Sequence, residues 1–162
     1  MKKLNLGCGL DYREGWVNID CRSNVKLDVR HNLEKFPYPF KKDEFDEIRI
    51  NHVLEHLNDP IRVLKECIRI CKNGAKIVVN VPHAYAYSQV ASIQHKANFT
   101  EYSFIPLHIK EYDLEELRLV RQEFIFKNKW KKFIPFKKYL TVFLNGIYDD
   151  LHFKFIVNKI RN

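Results

Sequence analysis

Short apolar runs recur along the first half of the chain, and each ends at a glycine, a proline or a polar residue. "KKLNL" runs into Gly7, and "GWVNID" sets Trp16, Val17 and Ile19 ahead of Asp20. "VKLDVRH" is a third run, and "FDEIRIN" (45–51) carries Phe45, Ile48 and Ile50. "AKIVVNVP" (75–82) is β-branched and stops at Pro82. These runs predict five strands. Between the last two, Asp59 is a helix cap and Pro60 suits the first helical position. Ile61, Leu64, Ile68 and Cys71 recur at helical spacing, widened by Val63, Cys67 and Ile70, and Gly74 stands where a helix terminator belongs. A second helix is predicted from Asp113, with Glu116 completing a capping box and Leu114, Leu117 and Val120 as its buried face. Further on, "EFIFKNKWKK" alternates Phe124, Phe126 and Trp130 against Lys127, Lys129 and Lys131, the period of a half-buried strand. Phe136, Leu140, Phe143, Leu144 and Ile147 fit one helix face. "HFKFIVNKI" predicts a closing strand with Phe153, Phe155 and Val157 inward.

Strands alternating with helices predict an α/β domain with a mostly parallel sheet. Such sheets bind ligands at the carboxyl ends of their strands. Those ends carry Gly7-Cys8-Gly9, Asp20, Asn32-Leu33, Asn51-His52 and Pro82-His83. Glycines admit a close ligand, and a carboxylate after the second strand accepts ribose hydroxyls. Only ten residues separate Gly9 from Asp20. That leaves no room for the helix that cradles a pyrophosphate in a dinucleotide site. Singly, each residue also has a structural reading: the glycines as a tight turn, Asp20 as a cap, Asn32 as a turn residue. The one long stretch without periodicity, 82–110, is rich in His and Tyr and is read as a lid or binding loop.

The 162 residues, 46% hydrophobic and 30% charged, fit one globular domain. No apolar run approaches the ~18 residues of a membrane span. The start, "MKKLNLGCG", has no stretch of signal-peptide length, so a cytoplasmic location is expected. Cys8, Cys21, Cys67 and Cys71 form no C-x-x-C pair and are read as reduced, structural thiols, with no metal. The net charge is +8, and residues 121–162 hold 10 of the 28 Lys and Arg but 3 of the 20 Asp and Glu. This basic end, centred on Lys127–Lys138, suits an anionic partner such as RNA, a phosphorylated substrate or a membrane surface. It equally suits a solvated edge strand protected by lysines.

"LNLGCG", "GWVNID", "FPYPFKKDEFDEIRINHVLEHLNDP" and "LKECIRICKNGAKIVVNVPH", in this order over about residues 3–83, resemble small class I S-adenosylmethionine-dependent methyltransferases. The resemblance implies a Rossmann-like sheet of seven strands with helices on both faces and an antiparallel last strand. It implies a minimal domain over 1–162: a cofactor half (1–81), a substrate-side lid (82–112) and a C-terminal part (113–162). The cofactor would be S-adenosylmethionine and the product S-adenosylhomocysteine. By the same resemblance, Gly7, Cys8 and Gly9 would pass under the methionine part and Asp20 would bind the ribose. Asn32 and the backbone of Leu33 would face adenine, and Asn51 and His52 the reacting methyl. Asn32 stands where relatives have an aspartate. The usual acid at the end of the first strand is missing, since Asn5 and Leu6 occupy that region.

Methyl transfer needs a base only where the acceptor must lose a proton. His52, His83 and His95 are the candidates, and each has an equal reading as a loop histidine. "HKANFTEYSF" (95–104), with Tyr85, Tyr87 and Tyr102, is expected in the acceptor pocket. His52, Glu55 and His56 also spell H-x-x-E-H, a zinc-peptidase signature. That chemistry needs both histidines on one helix, whereas here the motif follows a strand, so Glu55 and His56 are read as ordering the loop under the cofactor. The expected function is methyl transfer to an oxygen or nitrogen of a small-molecule or glycan-like acceptor. The alternatives are an RNA methyltransferase and a non-catalytic cofactor-binding subunit.

Overall fold

The computed structural model describes residues 1–126 and 148–159. Among these residues, seven strands form one sheet: β1 (Lys3–Leu6), β2 (Val17–Asp20), β3 (Val29–Arg30), β4 (Phe45–Asn51), β5 (Cys71–Pro82), β6 (Leu117–Ile125) and β7 (Asp150–Val157). Their order is β3-β2-β1-β4-β5-β7-β6. The first five run parallel, and β7 lies antiparallel between β5 and β6. The expected mostly parallel sheet with an antiparallel last strand is the fold observed. Among the described residues, no helix is long and apolar enough to cross a membrane.

The centre of the sheet is dry because its strands are apolar on both faces. In β1, Leu4, Asn5 and Leu6 are all buried. β7 alternates instead: Leu151, Phe153, Phe155 and Val157 are fully buried, with His152, Lys154 and Ile156 half-buried between them. Phe104 packs edge-on against Phe153 and Phe155, with ring centroids 4.8 Å and 5.1 Å away. Full burial of each such ring stabilises the fold by roughly 1.5–3 kcal/mol.

Helix α1 (Pro60–Ile70) starts as its sequence dictates: the Asp59 carboxylate accepts the Arg62 N–H at 2.8 Å, and Pro60 takes the first turn. Its end differs from expectation. Cys71 is already extended and opens β5, so Gly74 does not terminate the helix. Phe45 pairs with Cys71 and Glu47 with Lys76, so extra residues of β5 bulge out between the two pairs. Gly74, at φ +79°, lies in that bulge, where a left-handed residue is needed.

The helix predicted from Asp113 is a strand. Helix α3 (Pro106–Glu111) ends before it, Asp113 turns the chain at φ +52°, and β6 begins at Leu117. Leu114 and Leu117 are three apart because they close one turn, the Leu117 N–H donating to the Leu114 carbonyl at 2.7 Å. Pairing of Leu117 with Val157 and Leu119 with Phe155 then outweighs the helical pattern. Helix α2 (Tyr87–Ala91) and α3 are short pieces within the stretch read as a lid. The strand read in 123–131 overlaps β6 only at its start. Its part from Lys127 on, the helix face of Phe136–Ile147 and the basic Lys127–Lys138 region lie outside the described residues.

The thiols behave as structural groups. All four cysteines are free, and only Cys21 is exposed. Burial pushes the Cys71 thiol up to about 12.

Candidate functional site

The β1–β2 connection lacks a helix, and the side chain of Asn18 replaces one. Its Oδ1 accepts the Arg13 N–H at 2.9 Å and the Asn5 amide at 3.1 Å. Its Nδ2 donates to the carbonyls of Arg13 and Trp16, each at 3.0 Å, and to Asp28 at 2.9 Å. Asn5 also donates to the Asp11 carbonyl at 2.6 Å. Two buried amides therefore tie the loop to β1 and β2, and full satisfaction makes such a network rigid. Gly7 and Gly9 turn the chain in left-handed conformations, φ +66° and +52°. A Cβ on Gly7 would stand 2.5 Å from Val53 Cγ2.

Asp20 ends β2 with its side chain almost wholly buried. One carboxylate oxygen accepts the Gly9 N–H at 2.8 Å, and the other accepts the Arg22 N–H at 2.9 Å and Arg22 Nε at 3.2 Å. Burial alone would raise its pKa. The backbone N–H groups of Arg22 and Gly9 and the Arg22 guanidinium outweigh it, holding Asp20 below the ordinary carboxylate range. Asp20 is therefore an anion at the rim of a cleft. The guanidinium covering it belongs to a half-exposed side chain.

That cleft, a cavity of about 570 Å³, lies at the carboxyl ends of β1, β2 and β4. Five of the sequence-assigned residues line it: Gly7, Asp20, Asn32, Leu33 and His52. Cys8, Gly9 and Asn51 are not in its lining. Cys8 is buried behind the turn, and Gly9 reaches the site through its bond to Asp20. Asn51 accepts from the Asn80 amide at 2.9 Å, and Asn80 in turn contacts His152 Nδ1 at 2.6 Å. Asn32 spends its side-chain oxygen on the Glu34 N–H at 2.9 Å, which leaves its amide N–H groups as donors.

Of the three candidate bases, only His52 lines the cavity. It sits at φ +53°, its N–H donating to the Asn80 carbonyl at 2.9 Å, which anchors the end of β4 to β5. Its ring nitrogens approach Glu55 at 3.3 Å and Asp150 at 3.6 Å. His83 is buried among Tyr85, Phe124 and Tyr148. Its Nδ1 accepts the Tyr85 N–H at 3.2 Å, so Nε2 carries the proton that faces Glu101 at 3.1 Å. His95 contacts the Gln89 carbonyl and packs beside His56. Sequence reasoning missed Arg22, which lines the cavity; His56, read as ordering the loop under the cofactor, and Lys96, in the stretch expected in the acceptor pocket, line it too. Arg22 had a signal: a residue two past an aspartate often gives it a backbone N–H. What the sequence did not show is the long-range contact that brings the loop of His95 and Lys96 here, the Lys96 and Ala97 N–H groups donating to the Glu55 carbonyl.

A family model described as a methyltransferase domain matches residues 4–79. A Mycolicibacterium smegmatis protein named Probable S-adenosylmethionine-dependent methyltransferase is 33% identical over 82 residues, covering 49% of this chain and 31% of its own length. Demethylmenaquinone methyltransferase of Lactococcus lactis is 32% identical over 75 residues, covering 43% of this chain and 29% of its own. The chain thus spans about a third of the length of these curated relatives. Among solved structures, a SAM-dependent methyltransferase of Archaeoglobus fulgidus aligns over 96% of this chain and 85% of its own, with TM-score 0.69 and 18% identity. The cyclase SpnF shares the fold as well, at TM-score 0.63 and 12% identity over 97% of this chain and 75% of its own. Fold likeness at such identities leaves the reaction to be argued from the site.

Proposed function

We infer that this chain, whose residues 4–79 match the methyltransferase-domain family and whose fold is that of class I, Rossmann-like methyltransferases, is an S-adenosylmethionine-dependent methyltransferase. One observation carries the reading. The cavity at the strand ends is lined together by Gly7, the Asp20 anion, Asn32, Leu33 and His52. Its volume lies within the roughly 300–1,000 Å³ of small-molecule sites.

The residues fit the cofactor. Gly7, with no Cβ, leaves the floor open against Val53. Asp20 would accept the ribose hydroxyls once the half-exposed Arg22 side chain swings aside. Leu33 offers an apolar surface and Asn32 amide donors to an adenine ring. The cofactor supplies an electrophilic methyl carbon on a sulfonium, transferred in line to leave S-adenosylhomocysteine. The chain's own task is to align the acceptor and exclude water. His52, with Glu55 and Asp150 beside its ring, is the candidate base that borders the cavity, for an acceptor that must lose a proton.

The proposed acceptor is an oxygen or nitrogen of a small or glycan-like molecule. A transfer screen with methyl-labelled cofactor across hydroxyl, amine, glycan and RNA acceptors tests this. Label in a small molecule or glycan supports the reading. Label in RNA, lost when Lys127, Lys129 and Lys131 are neutralised, would replace it with RNA methylation. Cofactor binding without transfer to any class would favour a non-catalytic subunit.

A further inference from the structure

The wall of the cofactor cavity holds a second group of polar side chains. A single 3-10 turn, Leu54–His56, sets Glu55 and His56 side by side at the end of β4. The Glu55 carbonyl accepts the N–H groups of Lys96 at 2.6 Å and Ala97 at 3.2 Å, docking the loop that carries His95. The rings of His56 and His95 then meet edge to face, with centroids 4.7 Å apart. One ligand atom from each of Glu55, His56 and His95 lies within 4.8 Å of the other two.

Two further observations point to a ligand. The Glu55 side chain is fully buried, and neither carboxylate oxygen has a hydrogen-bond partner; His52 Nδ1 approaches one of them at 3.3 Å without completing a hydrogen bond. A buried carboxylate in that condition is costly, and a bound cation is what relieves it. The His95 ring is also already oriented. Its Nδ1 stands 3.2 Å from the Gln89 carbonyl, which only accepts, so Nδ1 carries the proton and Nε2 keeps its lone pair. Histidine ligands are held in this way by a carbonyl behind the ring.

We propose that Glu55, His56 and His95 bind a divalent transition-metal cation at the wall of the cofactor cavity. One carboxylate oxygen and two imidazole nitrogens suit zinc, manganese, iron(II) or cobalt. Metal–ligand bonds near 2.0–2.2 Å set ligand atoms roughly 3–3.5 Å apart, so the half-buried imidazoles must close in slightly. His56 itself lines the cavity, so the remaining coordination positions open towards it. There the cation takes an oxygen donor of the acceptor, a role that rests on the methyltransferase reading, whereas the site itself does not. The set is not that of a zinc peptidase. His52 is left-handed rather than helical and faces Asp150 as well, while the motif's glutamate becomes a ligand.

The test is a titration of the whole chain with cobalt(II) chloride, followed by visible absorption and calorimetry, with zinc chloride as competitor. One-to-one binding displaced by zinc is expected. His56→Ala and His95→Ala should each weaken it at least tenfold, and Cys21→Ser should leave it unchanged. His95 lies on a loop, so its truncation spares the core. Absence of binding at millimolar metal would overturn the site. So would binding unchanged in both histidine variants, or binding lost with Cys21. S-adenosylhomocysteine is titrated into the same samples. Binding of it without metal uptake removes the site alone. Metal uptake without it removes the methyltransferase reading and leaves the site standing.

Discussion

The Asp20 carboxylate accepts the Gly9 amide N–H at 2.8 Å. This bond joins the first glycine turn to the acid that ends the second strand, across a connection of ten residues. Across this connection, which has no helix, the chain uses a side-chain network. The bond also keeps Asp20 ionised and aimed at the cavity.

Asn18 carries that network, so Asn18→Ala should destabilise the protein by about 2–3 kcal/mol, leaving the Arg13 N–H without a partner and Asn5 with only its bond to the Asp11 carbonyl. Urea unfolding measures it. A change within experimental error would mean the loop is held by other contacts.

Gly7→Ala meets both a left-handed backbone and the Val53 side chain at 2.5 Å. A loss of about 1–3 kcal/mol is expected, together with weaker cofactor binding from the narrowed floor. Stability and affinity at wild-type level would show that the turn yields without cost.

In the proposed binding mode Arg22 would compete with a ribose for the Asp20 carboxylate, which its backbone N–H and Nε already engage. Its side chain is half-exposed, so its ion pair with Asp20 is worth little. Arg22→Ala should therefore tighten S-adenosylhomocysteine binding about two- to fivefold, a factor set by an exposed ion pair of at most about 1 kcal/mol. A tenfold weakening in calorimetry would instead make Arg22 a direct cofactor ligand.

The lowered pKa of Asp20 gives a pH dependence of definite sign. The folded state binds its proton less readily than the unfolded chain, whose carboxyl titrates near 3.9. Its contribution is complete above that value and is lost as pH falls through the lower folded value. The stability gap between wild type and Asp20→Asn should thus narrow in acid. Urea unfolding at neutral pH and at about pH 3 checks this. A gap independent of pH would contradict it.

The parts legible in the sequence are those fixed by local pattern. β1, β2, β4 and β5 announce themselves by apolar runs, and β7 by the alternation of Phe153, Phe155 and Val157. Asp59 and Pro60 fix the start of α1. β6 was not legible, because Leu114 and Leu117, with Asp113 and Glu116, imitate a capped helix until β7 supplies a partner. In the site, Gly7, Asp20, Asn32, Leu33 and His52 follow from standing at strand ends. His56 beside His95 does not, because that contact depends on the loop docking to the Glu55 carbonyl. His83, Cys8 and Asn51 stand near strand ends too, yet they serve packing and inter-strand bonds, which residue type alone does not reveal.

The most direct measurement is calorimetric titration of S-adenosylhomocysteine into the wild-type chain and into Asp20→Ala. Saturable one-to-one binding by the wild type, weakened at least tenfold in the variant, is the predicted result. It corresponds to at least about 1.4 kcal/mol of lost hydrogen bonding to the ribose. No binding by the wild type at millimolar ligand, or equal affinity in both proteins, would contradict a cofactor site built on Asp20.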